Sequence, residues 1–254
     1  GQGHLECVGA LAQLGADLNL PGGTDADTPL HAAARSGHLE CVRALVAAGA
    51  DIDASNANEE SPVYSAASHG EFDCVGLLME LGADVRGRRR VGRTLLHFAA
   101  VYGEIDIVRL LVRGGACVGS RTEEGNTPLG LASLHGHVAC VRLLASEFGA
   151  DVSDGNLEGE TALHLAARAG RDECARVLVA ELGADVASTN EDGDTPLETA
   201  VMNQHFACAR ALLELGAPAD AVDLSQNRPI HYAATWGHLE CVRLLAEAGA
   251  DVCA

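Results

Sequence analysis

Seven of the nine cysteines, Cys7, Cys41, Cys74, Cys140, Cys174, Cys208 and Cys241, follow one another at intervals of 33 or 34 residues, with one doubled gap in which Ile107 stands at the skipped place. The text around them recurs as well: GHLECVRALVAAGAD from Gly37, GEIDIVRLLVRGGAC from Gly103, GHVACVRLLASEFGAD from Gly136 and GHLECVRLLAEAGAD from Gly237. A period of this length marks a stack of one supersecondary unit, too small to bury its apolar face alone and stable only against its neighbours.

Seven full units align on their openings: DTPLHAAARSG at Asp27, ESPVYSAASHG at Glu60, RTLLHFAAVYG at Arg93, NTPLGLASLHG at Asn126, ETALHLAARAG at Glu160, DTPLETAVMNQ at Asp194 and NRPIHYAATWG at Asn227. The opening Thr or Ser can accept from free helix N–H groups, and the Pro after it has no N–H to leave unsatisfied, so a helix starts there. Gly37, Gly70, Gly103, Gly136, Gly170 and Gly237 end it, being free to take a left-handed backbone, and Gln204 is the exception. A second helix follows, with Leu39, Val42, Leu45 and Val46 at spacings of three and four, stopped by the Gly of GAD. Polar turn-rich stretches such as SRTEEGNT (120–127) and STNEDGDT (188–195) then form a hairpin loop, or finger.

These motifs resemble the ankyrin repeat family, whose unit of about 33 residues carries T-P-L-H-x-A on its first helix and GAD before its loop. The resemblance implies an all-α repeat solenoid, a curved stack of helix-turn-helix units each with a hairpin loop. It implies a concave side made by fingers and first helices, and a usual role in binding other proteins. The expected organisation is a single domain over residues 1–254, with a partial repeat at 1–19 and full repeats at about 20–53, 54–86, 87–119, 120–153, 154–187, 188–220 and 221–254. Gly1 falls inside a repeat and GADVCA keeps an internal unit's text where a polar cap is expected, which reads as a piece of a longer array. Three departures stand out. The loop-turn glycine of Gly92, Gly125, Gly159 and Gly193 becomes Ala26, Glu59 and Gln226, leaving those fingers the least defined in shape. The histidine kept at His31, His97, His164 and His231 becomes Tyr64, Gly130 and Glu198. LASEFGAD and VAELGAD carry one extra residue, which a bulge or an extended helix end would absorb.

Composition bears on partners. Seventeen arginines, no lysine and 36 acidic residues give a formal net charge of -19 and a pI near 4.8. Such a chain is repelled by nucleic acid and anionic membrane, and neither is expected as a partner. No stretch reaches the roughly 18 apolar residues of a membrane-spanning helix, and no leader pattern is visible. Cysteines stacked at the spacing of packed helices, about 8–10 Å, are too far apart to pair. They read as small core residues, with Cys117 and Cys253 nearer to loops, and so many free thiols suggest a reducing compartment, cytoplasmic or nuclear.

No catalytic grouping, metal site or cofactor is expected. His135 and His137 in LHGHV are two ligands where a metal wants three or four. The four T-P-L-H histidines are expected to bond backbone between loops. What the repeat does not explain are the positions that vary: Ser36, His69, Tyr102, His135, Ala169, Asn203 and Trp236, eight residues after each opening Thr. Of these, Tyr102 and Trp236 are candidate interface anchors or else pack on an adjacent loop, and His69 and His135 stand with them. Phe98 and Tyr232 are expected to fill space between units. One finger, DVRGRRRVGR, carries Arg86, Arg88, Arg89, Arg90 and Arg93. Either neighbouring acidic fingers neutralise it, or it docks an acidic or phosphorylated protein segment, since guanidinium forks bind carboxylate and phosphate bidentately. Glu158, Glu160, Glu191, Asp192 and Asp194 form an acidic patch of opposite sign. The expected function is a monomeric, non-enzymatic protein-binding module. The alternatives are a substrate-recruiting or targeting arm of a larger protein, and a structural spacer or self-associating scaffold.

Overall fold

The computed structural model describes residues 2–85 and 92–251, with side chains from residue 5 onward. Its helices in chain order are α1 (Gln2–Gln13), α2 (Pro29–Arg35), α3 (Leu39–Ala47), α4 (Pro62–Ser68), α5 (Phe72–Glu80), α6 (Leu95–Tyr102), α7 (Ile105–Arg113), α8 (Pro128–His135), α9 (Val138–Arg142), α10 (Ala162–Arg168), α11 (Asp172–Ala180), α12 (Pro196–Met202), α13 (Phe206–Glu214), α14 (Pro229–Thr235) and α15 (Leu239–Glu247). No strand forms among the described residues, apart from one isolated bridge between Gly22 and Asp27. Two compact units are present, residues 1–99 with 106–116, and residues 100–105 with 117–254.

In the first unit α2 packs on α4 and α3 on both α1 and α5; in the second α8, α10, α12 and α14 pack in succession, as do α9, α11, α13 and α15. First helices thus lie on first helices and second on second. Several helix pairs bury leucines from both members: Leu30 and Leu45, Leu129 and Leu144, Leu163 and Leu178, Leu197 and Leu212 are all fully enclosed. Cys41, Cys74, Cys140, Cys174, Cys208 and Cys241 are buried and unpaired, as the spacing requires. Burial pushes the thiols of Cys74, Cys140 and Cys174 up to about 11 and that of Cys208 to about 12, so they are unreactive core residues. Cys7 departs from the pattern and is exposed, and Cys117 is exposed near a loop.

The two extra residues are absorbed differently. In LASEFGAD, α9 runs on into a π-helical turn at Leu143–Glu147, one residue wider than an α turn. In VAELGAD, α11 is prolonged by Glu181, and the Leu182 N–H reaches back five residues to Val177 O at 3.1 Å.

The fingers are closed turns. The side chain of Asn56, Asn156, Asn190 or Asp223 accepts from the backbone N–H four residues on, and its own N–H donates to that residue's carbonyl. Successive fingers are then stitched by backbone bonds: Ala57 N–H to Asp25 O at 2.8 Å in the first unit, and Leu157 to Glu124, Glu191 to Glu158 and Leu224 to Asp192 at 3.0–3.1 Å in the second. The fingers that lack the turn glycine keep the same left-handed residue, with φ of 52° at Ala26, 60° at Glu59 and 65° at Gln226, and Gln204 does likewise at 61° after α12. A side chain in that conformation costs about 1–2 kcal/mol, partly offset by glycine's greater freedom when unfolded. Ala26→Gly and Gln226→Gly are therefore expected to stabilise the protein by about 0.5–1 kcal/mol each, read by denaturant melts. A midpoint that falls would show that these turns are not strained.

Candidate interaction surface

Recurring side chains face inward and are consumed by the stack. In His31 the ring Nδ1 accepts from the Thr28 N–H at 3.2 Å, which places the proton on Nε2, and Nε2 donates to Glu60 O of the next finger at 2.8 Å. His164 does the same between Thr161 and Asp194 O, at 3.2 and 3.0 Å. Nδ1 of His97 accepts from the Thr94 N–H and that of His231 from the Arg228 N–H. Each histidine thereby closes its own helix N-terminus, where backbone donors lack intrahelical partners, and the first two also grip the following finger. Burial lowers the pKa of His31, and pushes that of His164 down to about 4.

A second series of bonds between units is not apparent from the sequence alone. The side chain just after the left-handed residue that ends each first helix, Gly136, Gly170, Gln204 or Gly237, reaches back to the preceding unit: His137 Nε2 donates to Val101 O at 2.8 Å, Arg171 Nε to Leu134 O at 3.2 Å, His205 Nε2 to Arg168 O at 2.9 Å and His238 Nδ1 to Val201 O at 2.9 Å. These carbonyls lie in the last turns of α6, α8, α10 and α12, where a helix leaves acceptors free. The signal is the recurrence of a long donor side chain at that place, which has no meaning until the units are stacked.

The variable positions face outward. Tyr102 ends α6 and is 46% exposed; Trp236 caps α14 and is 49% exposed. The Trp236 ring leans on Tyr232 at 5.6 Å and on His238 at 5.9 Å between centroids, so one part is packed and the rest is presented to solvent. Phe98 is buried, as a filler should be, whereas Tyr232 is half-buried and donates its hydroxyl to Asp223. His135 is exposed and stacks on His137 at 6.3 Å, but His137 is committed to Val101. His69 is exposed at the end of α4, with Nδ1 at 3.0 Å from Ser65 O. Among the described residues no group of three or more His, Cys, Asp or Glu could hold a metal, and no helix is long and apolar enough to cross a membrane.

Of the arginine finger, Arg86, Arg88, Arg89 and Arg90 lie outside the described residues, and Arg93 is half-buried. The acidic patch divides. Glu158, Glu191 and Asp192 are exposed at fingertips, as are Glu123 and Glu124, while Glu160 and Asp194 are only 2% and 9% exposed and turn inward. Glu160 is held by Asn156 and by Arg168, which also meets Glu158 at 3.2 Å. Burial raises the pKa of both Glu160 and Asp194. These two carboxylates close the finger turns and are not part of the outward surface. Leu157 and Leu224 alternate with the acidic tips and are 66% and 75% exposed, two large apolar side chains that the repeat pattern does not single out.

Family models of ankyrin repeats match residues 96–190 and 182–254 in three-copy form, and residues 2–43, 30–78 and 65–112 in many-copy form. The chain belongs to the ankyrin repeat family. Among solved structures the human ASB11 ankyrin repeat domain is similar, with a TM-score of 0.78 and 26% identity over 87% of this chain and 98% of that chain. Among curated proteins none matches. Ankyrin repeats are in general protein–protein interaction modules and typically have no catalytic role.

Proposed function

We propose that this ankyrin array is a non-catalytic module that binds a partner protein through its fingertips and the outward ends of its first helices. One observation carries this reading: side chains that recur from unit to unit are spent on bonds between units, whereas those that vary, Tyr102, His135, Leu157, Leu224 and Trp236 among them, are exposed to solvent. Aromatic side chains presented on a rigid scaffold supply contact area at small entropic cost. The arginine finger supplies the charge selection, through Arg86, Arg88, Arg89, Arg90 and Arg93, for an acidic or phosphorylated segment.

Selection of peptides from a displayed library at physiological salt tests the charge assignment. Acidic or phosphorylated peptides are expected to be enriched, and Arg88→Ser, Arg89→Ser, Arg90→Ser together should weaken them about tenfold or more, since hydrogen bonds to charged groups contribute roughly 1.5–3 kcal/mol each. Glu191→Lys with Asp192→Lys should leave the same peptides bound. Equal affinity for the arginine triple variant and the parent would remove the finger from the binding surface.

A further inference from the structure

Glu198 stands where other units carry the histidine of the helix opening, and it is fully buried. One oxygen does the work of the histidine Nδ1: Oε2 accepts from the Thr195 N–H at 2.7 Å and from the Thr195 hydroxyl at 3.0 Å. This is a capping box, in which the carboxylate of an exposed helix start normally keeps its second oxygen in water. Here Oε1 is enclosed and has no hydrogen-bond partner. An ionised carboxylate with an oxygen sealed from water and protein is costly, whereas a protonated one is a donor.

The repeat says what that donor meets. His31 Nε2 donates to the carbonyl of Glu60, 29 residues on, and His164 Nε2 to that of Asp194, 30 residues on across a one-residue insertion. From Glu198 the same step leads to Asn227, whose carbonyl closes its finger by accepting from the Asp223 N–H at 3.0 Å, as those of Glu60 and Asp194 do in theirs. We propose that Glu198 is held as a neutral carboxylic acid whose Oε1 hydroxyl latches the finger of residues 221–228 through the Asn227 carbonyl, and that loss of this proton releases the finger.

The surroundings favour the neutral form. Burial pushes the Glu198 carboxyl up to about 7, against the bonds from Thr195, and Asp194 on its own finger and Asp223 on the next both oppose its ionisation. Of the helices packed on α12, α10 brings His164, kept neutral by burial, and Arg168, engaged with Glu158 and Glu160. The N-cap of α13 is His205, which donates to Arg168 O, and α14 brings His231 and Tyr232, the latter bonded to Asp223. With a folded pKa above the unfolded one, the latch holds at low pH and is lost as pH rises through about 7. The released finger is the one that presents Leu224 and Val222 to solvent.

Hydrogen exchange on the intact chain tests this. Protection of the Leu224 and Gln226 amides, corrected for intrinsic exchange, is expected to fall about tenfold between pH 6 and pH 8, the change set by one proton titrating near the middle of that range. Glu198→Gln, which keeps a donor and an acceptor at every pH, should abolish the pH dependence while retaining the protection, and Glu198→His should do the same by restoring the pattern of the other units. A carbon-13 titration of the wild-type Glu198 carboxyl, which needs no variant, should give a midpoint near 7. A midpoint below about 5, or a Gln variant with the wild-type pH dependence, overturns the latch.

Discussion

Gly159→Ala should destabilise this protein by about 2–4 kcal/mol, well beyond the cost of placing a side chain on a left-handed residue. Gly159 has φ of 73°, and a Cβ there would stand 2.9 Å from the Glu191 backbone nitrogen and 3.2 Å from the Asn190 carbonyl carbon. These are backbone atoms of the next finger and cannot rotate aside. The Glu191 N–H is itself the donor that stitches the two fingers by bonding Glu158 O, so relief of the clash breaks that bond. Gly183 is the matched control, with the same φ of 73° and nothing within 4 Å of the added atom. Gly183→Ala should therefore cost only the conformational part, about 1 kcal/mol. Denaturant melts of the two variants separate the contributions; equal losses would mean that the close approach of the fingers carries no energy.

The same glycine shows where the sequence stops being informative. Its need for a left-handed turn is written locally, in the EG or DG that precedes Thr127, Thr161 and Thr195, and Ala26, Glu59 and Gln226 show that the turn survives without it. What makes Gly159 indispensable is the backbone of the following finger, a relation between units that no single unit's text contains. The return of His137, His205 and His238 to the preceding helix end is hidden for the same reason. Helix starts, the buried cysteines and the inter-loop histidines are legible because each follows from local capping or from a small residue on an apolar face. The acidic fingers are legible in composition but not in direction: Glu160 and Asp194 sit two residues from exposed Glu158 and Asp192, past a glycine turn that points them inward. Fold is thus carried by repetition, while the outward surface emerges only from which repeated side chains the stack has already engaged.

His164→Leu should show how much one such engaged side chain holds, and at which pH. At pH 7.5 the variant is expected to lose about 2–4 kcal/mol, because the buried Thr161 N–H loses its acceptor and the Asp194 carbonyl loses the donor from the unit before. In the wild type the ring must stay neutral, and its folded pKa of about 4 lies below the ordinary 6.5. The unfolded chain therefore takes up the proton first on acidification: the contribution is whole above pH 6.5 and is lost as pH falls toward 4. By pH 4.5 that loss amounts to roughly 2.5 kcal/mol, since every pH unit travelled between the unfolded and folded pKa values changes the folding equilibrium about tenfold. Glu198 works in the opposite sense over an overlapping range, its raised pKa favouring the folded chain as pH falls from about 7. The wild-type curve sums the two, so only the difference from the variant isolates the histidine. That difference should shrink by roughly 2.5 kcal/mol between pH 7.5 and pH 4.5. A gap that stays constant would mean that the ring takes up its proton in the fold as readily as in the unfolded chain, and then the bond from the Thr161 N–H would not be holding Nδ1 unprotonated.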